Sequence, residues 1–274
     1  MRAVERTVVL VTGATDGLGR AVVGRLAAMG AVVHLHGRDP ARLTGVAEEL
    51  GVPEGRAHRA DLASLDEVRA LARAVEGATD ALHVLVNNAG IGSGRPDATT
   101  RQESRDGIEL RLAVNHLAGH LLSLELLPLL RRSAPARIVN VASLGQAPID
   151  FADPQLRERY DGSRAYAQSK LAQITTSLAL AERLDGSGVT VTSLHPGTYM
   201  PTKIVLQQGG RAVDTLETGV EATVRLAVAP ELDGVTGRFF DRTQEAAAHP
   251  QAYDRAARER LWALSRELTD APDV

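Results

Sequence analysis

With 274 residues the chain is long enough to bury a sizeable core, as one large α/β domain or as two small ones. A formal charge of −3 gives no electrostatic reason to expect nucleic acid or an acidic membrane as partner, and the absence of cysteine excludes disulfides, thiolate nucleophiles and Cys-ligated metals. No apolar stretch reaches the roughly 20 residues of a membrane helix, and residues 1–6 lead into a strand-like run without a signal peptide's apolar segment, so a cytoplasmic location is expected.

The first strand is expected over Thr7–Thr12, followed by Gly13-Ala-Thr-Asp-Gly17-Leu-Gly19 and a helix over Leu18–Met29. Glycines here permit a tight turn and a close approach of backbone to a pyrophosphate, whose charge is favoured by the free amides and dipole of the helix start. The spacing is Gly-x-x-x-Gly-x-Gly, not the Gly-x-Gly-x-x-Gly of many dinucleotide folds. A glycine turn can also be purely structural; its place after the first strand of a βαβ unit favours phosphate binding by Gly13, Thr15, Asp16, Gly17, Leu18 and Gly19. The second strand, Ala31–His36, ends in Gly37-Arg38-Asp39, where an adenosine ribose should lie. An acidic residue there would hold a ribose 2′-hydroxyl and an arginine a 2′-phosphate. Asp39-Pro40 also supplies the cap and first turn of a helix through Leu50. Arg38 therefore favours NADP(H) over NAD(H).

Strands over Arg56–Ala60 and Leu82–Val86 lead to Asp61-Leu62 and to Asn87-Asn88-Ala89-Gly90, with a helix over Ser64–Glu76 between them. A long helix is expected from about Arg105 to Leu130, then a strand over Arg137–Val141 ending before Ser143. Helices from about Ser163 to Leu184 and over Thr215–Val228 flank a strand over Val189–Leu194 that runs into His195-Pro196-Gly197. A seventh strand over Gly237–Phe240 and a helix over Gln251–Leu268, with Trp262 packed on the body, complete the chain. Alternation of this kind reads as βα units around a mostly parallel sheet of about seven strands with helices on both faces. No linker or repeat divides it, so a single domain over 1–274 is expected. Two long irregular segments, 144–162 and 197–214, read as an insert and a substrate loop or lid.

Only two of the 31 Lys and Arg residues are lysines, and one, Lys170, follows Tyr166 by four positions on an expected helix. The pair shares a helix face, and a cation beside a phenol favours the phenolate, drawing the group toward neutral pH. Tyr199 and Lys203 repeat the spacing, but Pro201 between them argues against a helix. Tyr160 and Tyr199 are candidates for substrate contact, against ordinary loop packing. Arg157, Arg159, Arg164 and Arg211 fit either a charged lid or plain surface. His116 and His120 lie one helical turn apart without a third ligand, so no metal site is expected. His34 and His36 share a sheet side with a structural or adenosine-side role, and His195 positions the turn before Pro196.

The set Thr12-Gly13-x-x-x-Gly17-x-Gly19, Asp61-Leu62, Asn87-Asn88-Ala89-Gly90, Asn115, Ser143, Tyr166-x-x-x-Lys170 and His195-Pro196-Gly197 resembles the short-chain dehydrogenase/reductase family in content and order. Leu82–Gly90, Ala113–His120, Ala165–Ala172 and the gap of 23 positions from Ser143 to Tyr166 are similar to its retinol-dehydrogenase-like branch. The resemblance implies a Rossmann-type doubly wound sheet ordered 3-2-1-4-5-6-7 and interconversion of a small-molecule ketone or aldehyde with its alcohol. It implies Tyr166 as general acid or base, Lys170 lowering its pKa and binding the nicotinamide ribose, Ser143 holding the carbonyl oxygen, and Asn115 supporting a water relay from Lys170. It further implies Asp61 and Leu62 on the adenosine side, Asn87, Ala89 and Gly90 lining the cofactor, Pro196, Gly197 and Thr198 at the carboxamide, and a homodimer or homotetramer. Epimerisation or dehydration on the same scaffold, and a non-catalytic cofactor-binding regulator, remain the alternatives.

Overall fold

The computed structural model describes residues 3–94, 98–202 and 212–274. One sheet runs through it, with β1 (Val8–Val11), β2 (Val32–Gly37), β3 (Ala57–Arg59), β4 (Val84–Asn87), β5 (Ala136–Val141), β6 (Val189–His195), β7 (Arg238–Asp241) and β8 (Gln244–Ala246). The strand order is β3-β2-β1-β4-β5-β6-β7-β8. The first seven strands pair in parallel, and β8 returns antiparallel on β7. The expected order holds with eight strands in place of about seven. At three residues, two of them exposed, β8 is too short and polar to show a strand pattern.

Helices α1 (Gly17–Ala28), α2 (Pro40–Glu49) and α7 (Leu216–Val228) cover one face, and α3 (Leu65–Ala78), α4 (Ala118–Glu125), α5 (Leu127–Arg132) and α6 (Gly162–Arg183) the other, with α8 (Arg255–Thr269) against α6. The strand period of two divides the β-branched residues between these layers. Val9 and Val11 of β1 join the α1/α2/α7 core, and Leu10 joins the opposite one. In α3 the buried Leu65, Val68, Leu71, Ala72 and Val75 repeat at three and four, giving one apolar stripe. Ser64, Asp161, Thr215 and Asp254 each accept a backbone amide at the start of their helix.

The long helix expected over 105–130 is three pieces. Residues 105–109 lie outside it, Leu112–Leu117 form a π-turn, and α4 ends before Leu126, where α5 restarts with Pro128 in its first turn. The C-terminal helix starts four residues late because Pro250 opens a separate turn and Asp254 is the cap. Trp262 is buried, edge-on to His120 and under the Arg183 guanidinium.

Candidate active site

Ser143, Tyr166 and Lys170 meet at the carboxyl ends of the central strands. Asp161 caps α6 through the Arg164 amide at 2.7 Å, which sets the helix so that its first turns pass Ser143, just beyond β5. The Ser143 hydroxyl accepts the Gly145 amide at 3.0 Å and hydrogen-bonds the Tyr166 phenol. Lys170 is buried; its Nζ donates to Val141 O at 2.9 Å and to Gln173 Oε1 at 3.3 Å, and it lies 6.0 Å from the Tyr166 ring centroid. Burial lowers the Lys170 pKa to about 8. Burial also raises that of Tyr166, while Ser143 opposes the rise and Tyr199 adds to it. Low-polarity surroundings thus favour the neutral form of both groups.

Asn115 sits in the π-turn and clamps Ile91. Its Oδ1 accepts the Ile91 amide at 2.7 Å, and its Nδ2 donates to Ile91 O at 3.1 Å and to Ser169 Oγ at 3.0 Å. A side chain on Gly90 would meet Asn115 Oδ1 at 3.2 Å and Lys170 Nζ at 3.6 Å, so Gly90 separates the amide from the ammonium.

The glycine loop is shaped by a second clamp. Thr12 Oγ1 accepts the Asn88 and Ala89 amides at 2.9 and 3.0 Å, and Asn88 Nδ2 donates to Thr12 O at 2.8 Å. Gly13 and Gly17 adopt left-handed φ of 67° and 50°, and a Cβ on Gly19 would lie 2.2 Å from Gly13 O. The Leu18 and Gly19 amides at the start of α1 meet no acceptor among the described residues. This cradle of small residues and free amides fits a pyrophosphate. His36 supports it from below: Nδ1 accepts the Gly13 amide at 3.2 Å, which leaves Nε2 to donate to Ala60 O at 3.1 Å. Arg38 is exposed and has no ion-pair partner among the described residues, whereas Asp39 accepts the Arg42 amide as cap of α2.

A family model for short chain dehydrogenases matches residues 7–209. The chain belongs to the short-chain dehydrogenase family. Within it the protein is retinol-dehydrogenase-like. It is 36% identical to retinol dehydrogenase 13 of Mus musculus, over 95% of this chain and 83% of that one. It is 38% identical to polyprenol dehydrogenase of Mus musculus, over 96% and 84%. Among solved structures, an uncharacterised protein from Mycobacterium paratuberculosis superposes with a TM-score of 0.78 at 29% identity, over 97% of this chain and 94% of that one. The Pseudomonas aeruginosa RhlG/NADP complex does so with 0.69 at 26%, over 88% and 97%. The dehydrogenase is accordingly an oxidoreductase acting on CH–OH or C=O groups, in a family that binds NAD(P)(H).

Several residues of this dehydrogenase sit elsewhere than its sequence suggests. Asn87, expected to line the cofactor, faces the interior, where Nδ2 donates to Asn140 Oδ1 at 2.9 Å and Ser123 Oγ at 3.0 Å; it is Asn88 that clamps the glycine loop. Tyr160, a candidate for substrate contact, is engaged within the fold. Its hydroxyl donates to buried Glu109 at 3.0 Å and accepts from buried Arg111 at 2.9 Å, and burial, with Glu109, pushes its pKa up. Asp16 accepts the Gly17 amide at 2.8 Å and pairs with Arg42 at 3.3 Å, so its carboxylate stands at the helix start beside the cradle. Leu62 is buried, and Asp61 turns its Oδ1 to the Ala63 amide at 3.1 Å. Thr15 packs against Gly37, and Ala89 lies at the Thr12 clamp. His34 hydrogen-bonds buried His58, and His116 hydrogen-bonds Ser265.

Beyond β6, Pro196 and Gly197 are buried and Thr198 Oγ1 bonds His195 Nε2 at 3.0 Å. Tyr199 is exposed, in a left-handed conformation, and near enough to Tyr166 to act on it electrostatically. Lys203, Gly209, Gly210 and Arg211 lie outside the described residues. Thr202 went unnoticed in the sequence: a Cβ on Gly17 would lie 3.4 Å from its methyl, so the segment after β6 comes back to the glycine loop. Gly145 and Gln173 were also missed; the first borders Ser143 and Tyr166, the second holds Lys170. Their only sequence signal is distance from the catalytic motif.

Proposed function

We propose that the protein is an NADP(H)-dependent oxidoreductase for apolar aldehydes, ketones or their alcohols, with Tyr166 as proton donor and acceptor. The convergence of Ser143, Tyr166 and Lys170 beside the glycine cradle carries this reading. Gly13, Gly17, Leu18 and Gly19 would receive the pyrophosphate, Thr202 would border it, Arg38 would pair with a 2′-phosphate, and Gly90 and Gly197 would leave room along the nicotinamide side. The bound dinucleotide supplies or takes up the hydride. Ser143 Oγ orients the carbonyl oxygen, and Tyr166 Oη gives it a proton; the reverse transfer serves alcohol oxidation. Lys170, whose ordinary range is brought down to about 8, can exchange a proton near neutral pH.

The substrate class follows from the rim. Leu144, directly after Ser143, Tyr199, which acts electrostatically on Tyr166, and Val213, whose amide binds Tyr199 O at 3.1 Å, are all exposed large apolar residues. An apolar chain would cover them. The names of the retinol and polyprenol dehydrogenases agree with that choice. Tyr166→Phe is expected to lower kcat by about 10²–10⁴-fold while NADPH affinity stays within a few-fold. Unchanged turnover in a reduced-nicotinamide absorbance assay would remove Tyr166 from the chemistry.

A further inference from the structure

The segment after β6 begins and ends at one carboxylate. Asp214 Oδ2 accepts the Thr198 amide at 2.6 Å and the Arg242 Nη2 and Nε at 2.5 and 3.1 Å. In return the Asp214 amide donates to Thr198 O at 3.0 Å, and the Val213 amide to Tyr199 O. Arg242 stands just past β7 in a left-handed conformation, φ 54°; its amide donates to His195 O at 2.7 Å, and its Nη1 to Asp241 at 2.8 Å. Tyr199 is left-handed too, at φ 46°. Conformations of this kind in non-glycine residues persist only where surrounding contacts over-determine them. Here the over-determining contacts converge on Asp214, and the residue they constrain, exposed Tyr199, acts electrostatically on the Tyr166 phenol.

We propose that Asp214 and Arg242 act as one positioning pair, holding Thr198 and Tyr199 so that Tyr199 closes the apolar rim beside Tyr166. Neither residue touches the reacting atoms. The proposal rests on the reading of the site as an apolar-carbonyl reductase, and it assigns substrate selectivity to a carboxylate and a guanidinium behind the rim.

Asp214→Asn preserves the shape of the acceptor and removes its charge. With decanal and NADPH, it is expected to raise the KM for decanal about tenfold while kcat stays within about threefold, the loss of one charge-assisted network. Arg242→Ala should do the same and the double variant no more, because one unit is broken twice. Arg242→Lys, which keeps the charge, should recover part of the loss, and serves in place of Asp214→Asn if that variant fails to fold. In a Tyr199→Ala background the Asp214→Asn change should leave the decanal KM unmoved. Additive single effects, or an undiminished Asp214→Asn effect without Tyr199, would make the pair an ordinary brace and overturn the proposal. Should the parent protein reduce no aldehyde or ketone, it is the functional reading that fails. The pair is then judged by NADPH affinity from nicotinamide fluorescence: about a threefold weakening in Asp214→Asn, through Thr198, sustains it, and unchanged affinity sinks it.

Discussion

The glycine loop and the substrate-side rim solve the same backbone problem in opposite ways. On the cofactor side the left-handed positions of the loop, Gly13 and Gly17, are glycines, which adopt that conformation without steric cost. On the substrate side Tyr199 and, behind it, Arg242 adopt it with side chains, at roughly 1–2 kcal/mol each. The cofactor loop needs absence of atoms, since phosphate must approach backbone. The rim needs the side chains themselves. Arg242 binds Asp214, and Tyr199 is exposed. At these two places strain is accepted where the chain displays a particular group, and avoided where it must stay out of the way.

The contrast can be broken most severely from below the cofactor side. Burial lowers the pKa of His34 and His36 in β2 to about 4, from about 6.5 in an unfolded chain. The folded protein therefore resists protonation that the unfolded chain accepts below about pH 6.5. This contribution to stability is complete above that pH and is lost as pH falls toward 4. Urea midpoints should drop steadily between pH 7 and pH 5, and a flat profile would show these imidazoles hydrated. Gly19→Ala comes next. Its methyl would press on Gly13 O and Asn88 Nδ2, so a loss of about 2–3 kcal/mol in stability and failure to bind NADPH are expected in thermal and fluorescence titrations. Arg38→Ala should weaken NADPH about tenfold and NADH hardly at all, the value of a charge-assisted phosphate contact; equal losses would give Arg38 a structural role. The mildest change tests the other half of the comparison. Tyr199→Gly should relieve strain and raise stability by about 0.5 kcal/mol, net of glycine's entropy, while decanal reduction weakens. A destabilised variant would mean that Tyr199 is held by packing.

The same contrast separates what the sequence discloses from what it hides. Glycines, strand ends and the Tyr166/Lys170 interval are local signals, so the alternation of strands and helices, the glycine turn and the Tyr166/Lys170 pair were legible, while the strand order and Ser143 came from the family resemblance. Asn87 and Asn88 are adjacent and chemically identical, and only the pleat of β4 decides which faces the loop and which the Asn140 network. Tyr160 looked available because its partners Glu109 and Arg111 are about 50 positions away in sequence. The pair of Asp214 and Arg242 left no trace, since two ordinary charged residues 28 positions apart become neighbours only when β7 pairs with β6. The upward push of burial on Tyr166 was not legible, because the sequence displays charge but not desolvation.

The two outermost strands, β3 and β8, are each three residues long, and both flank themselves with ionic side chains: Arg59 is bound to Glu67, and Glu245 to Arg238. A sheet bordered in this way offers a neighbouring molecule too little free ladder to extend. Its borders are thereby guarded against the runaway stacking that an open parallel sheet would otherwise invite.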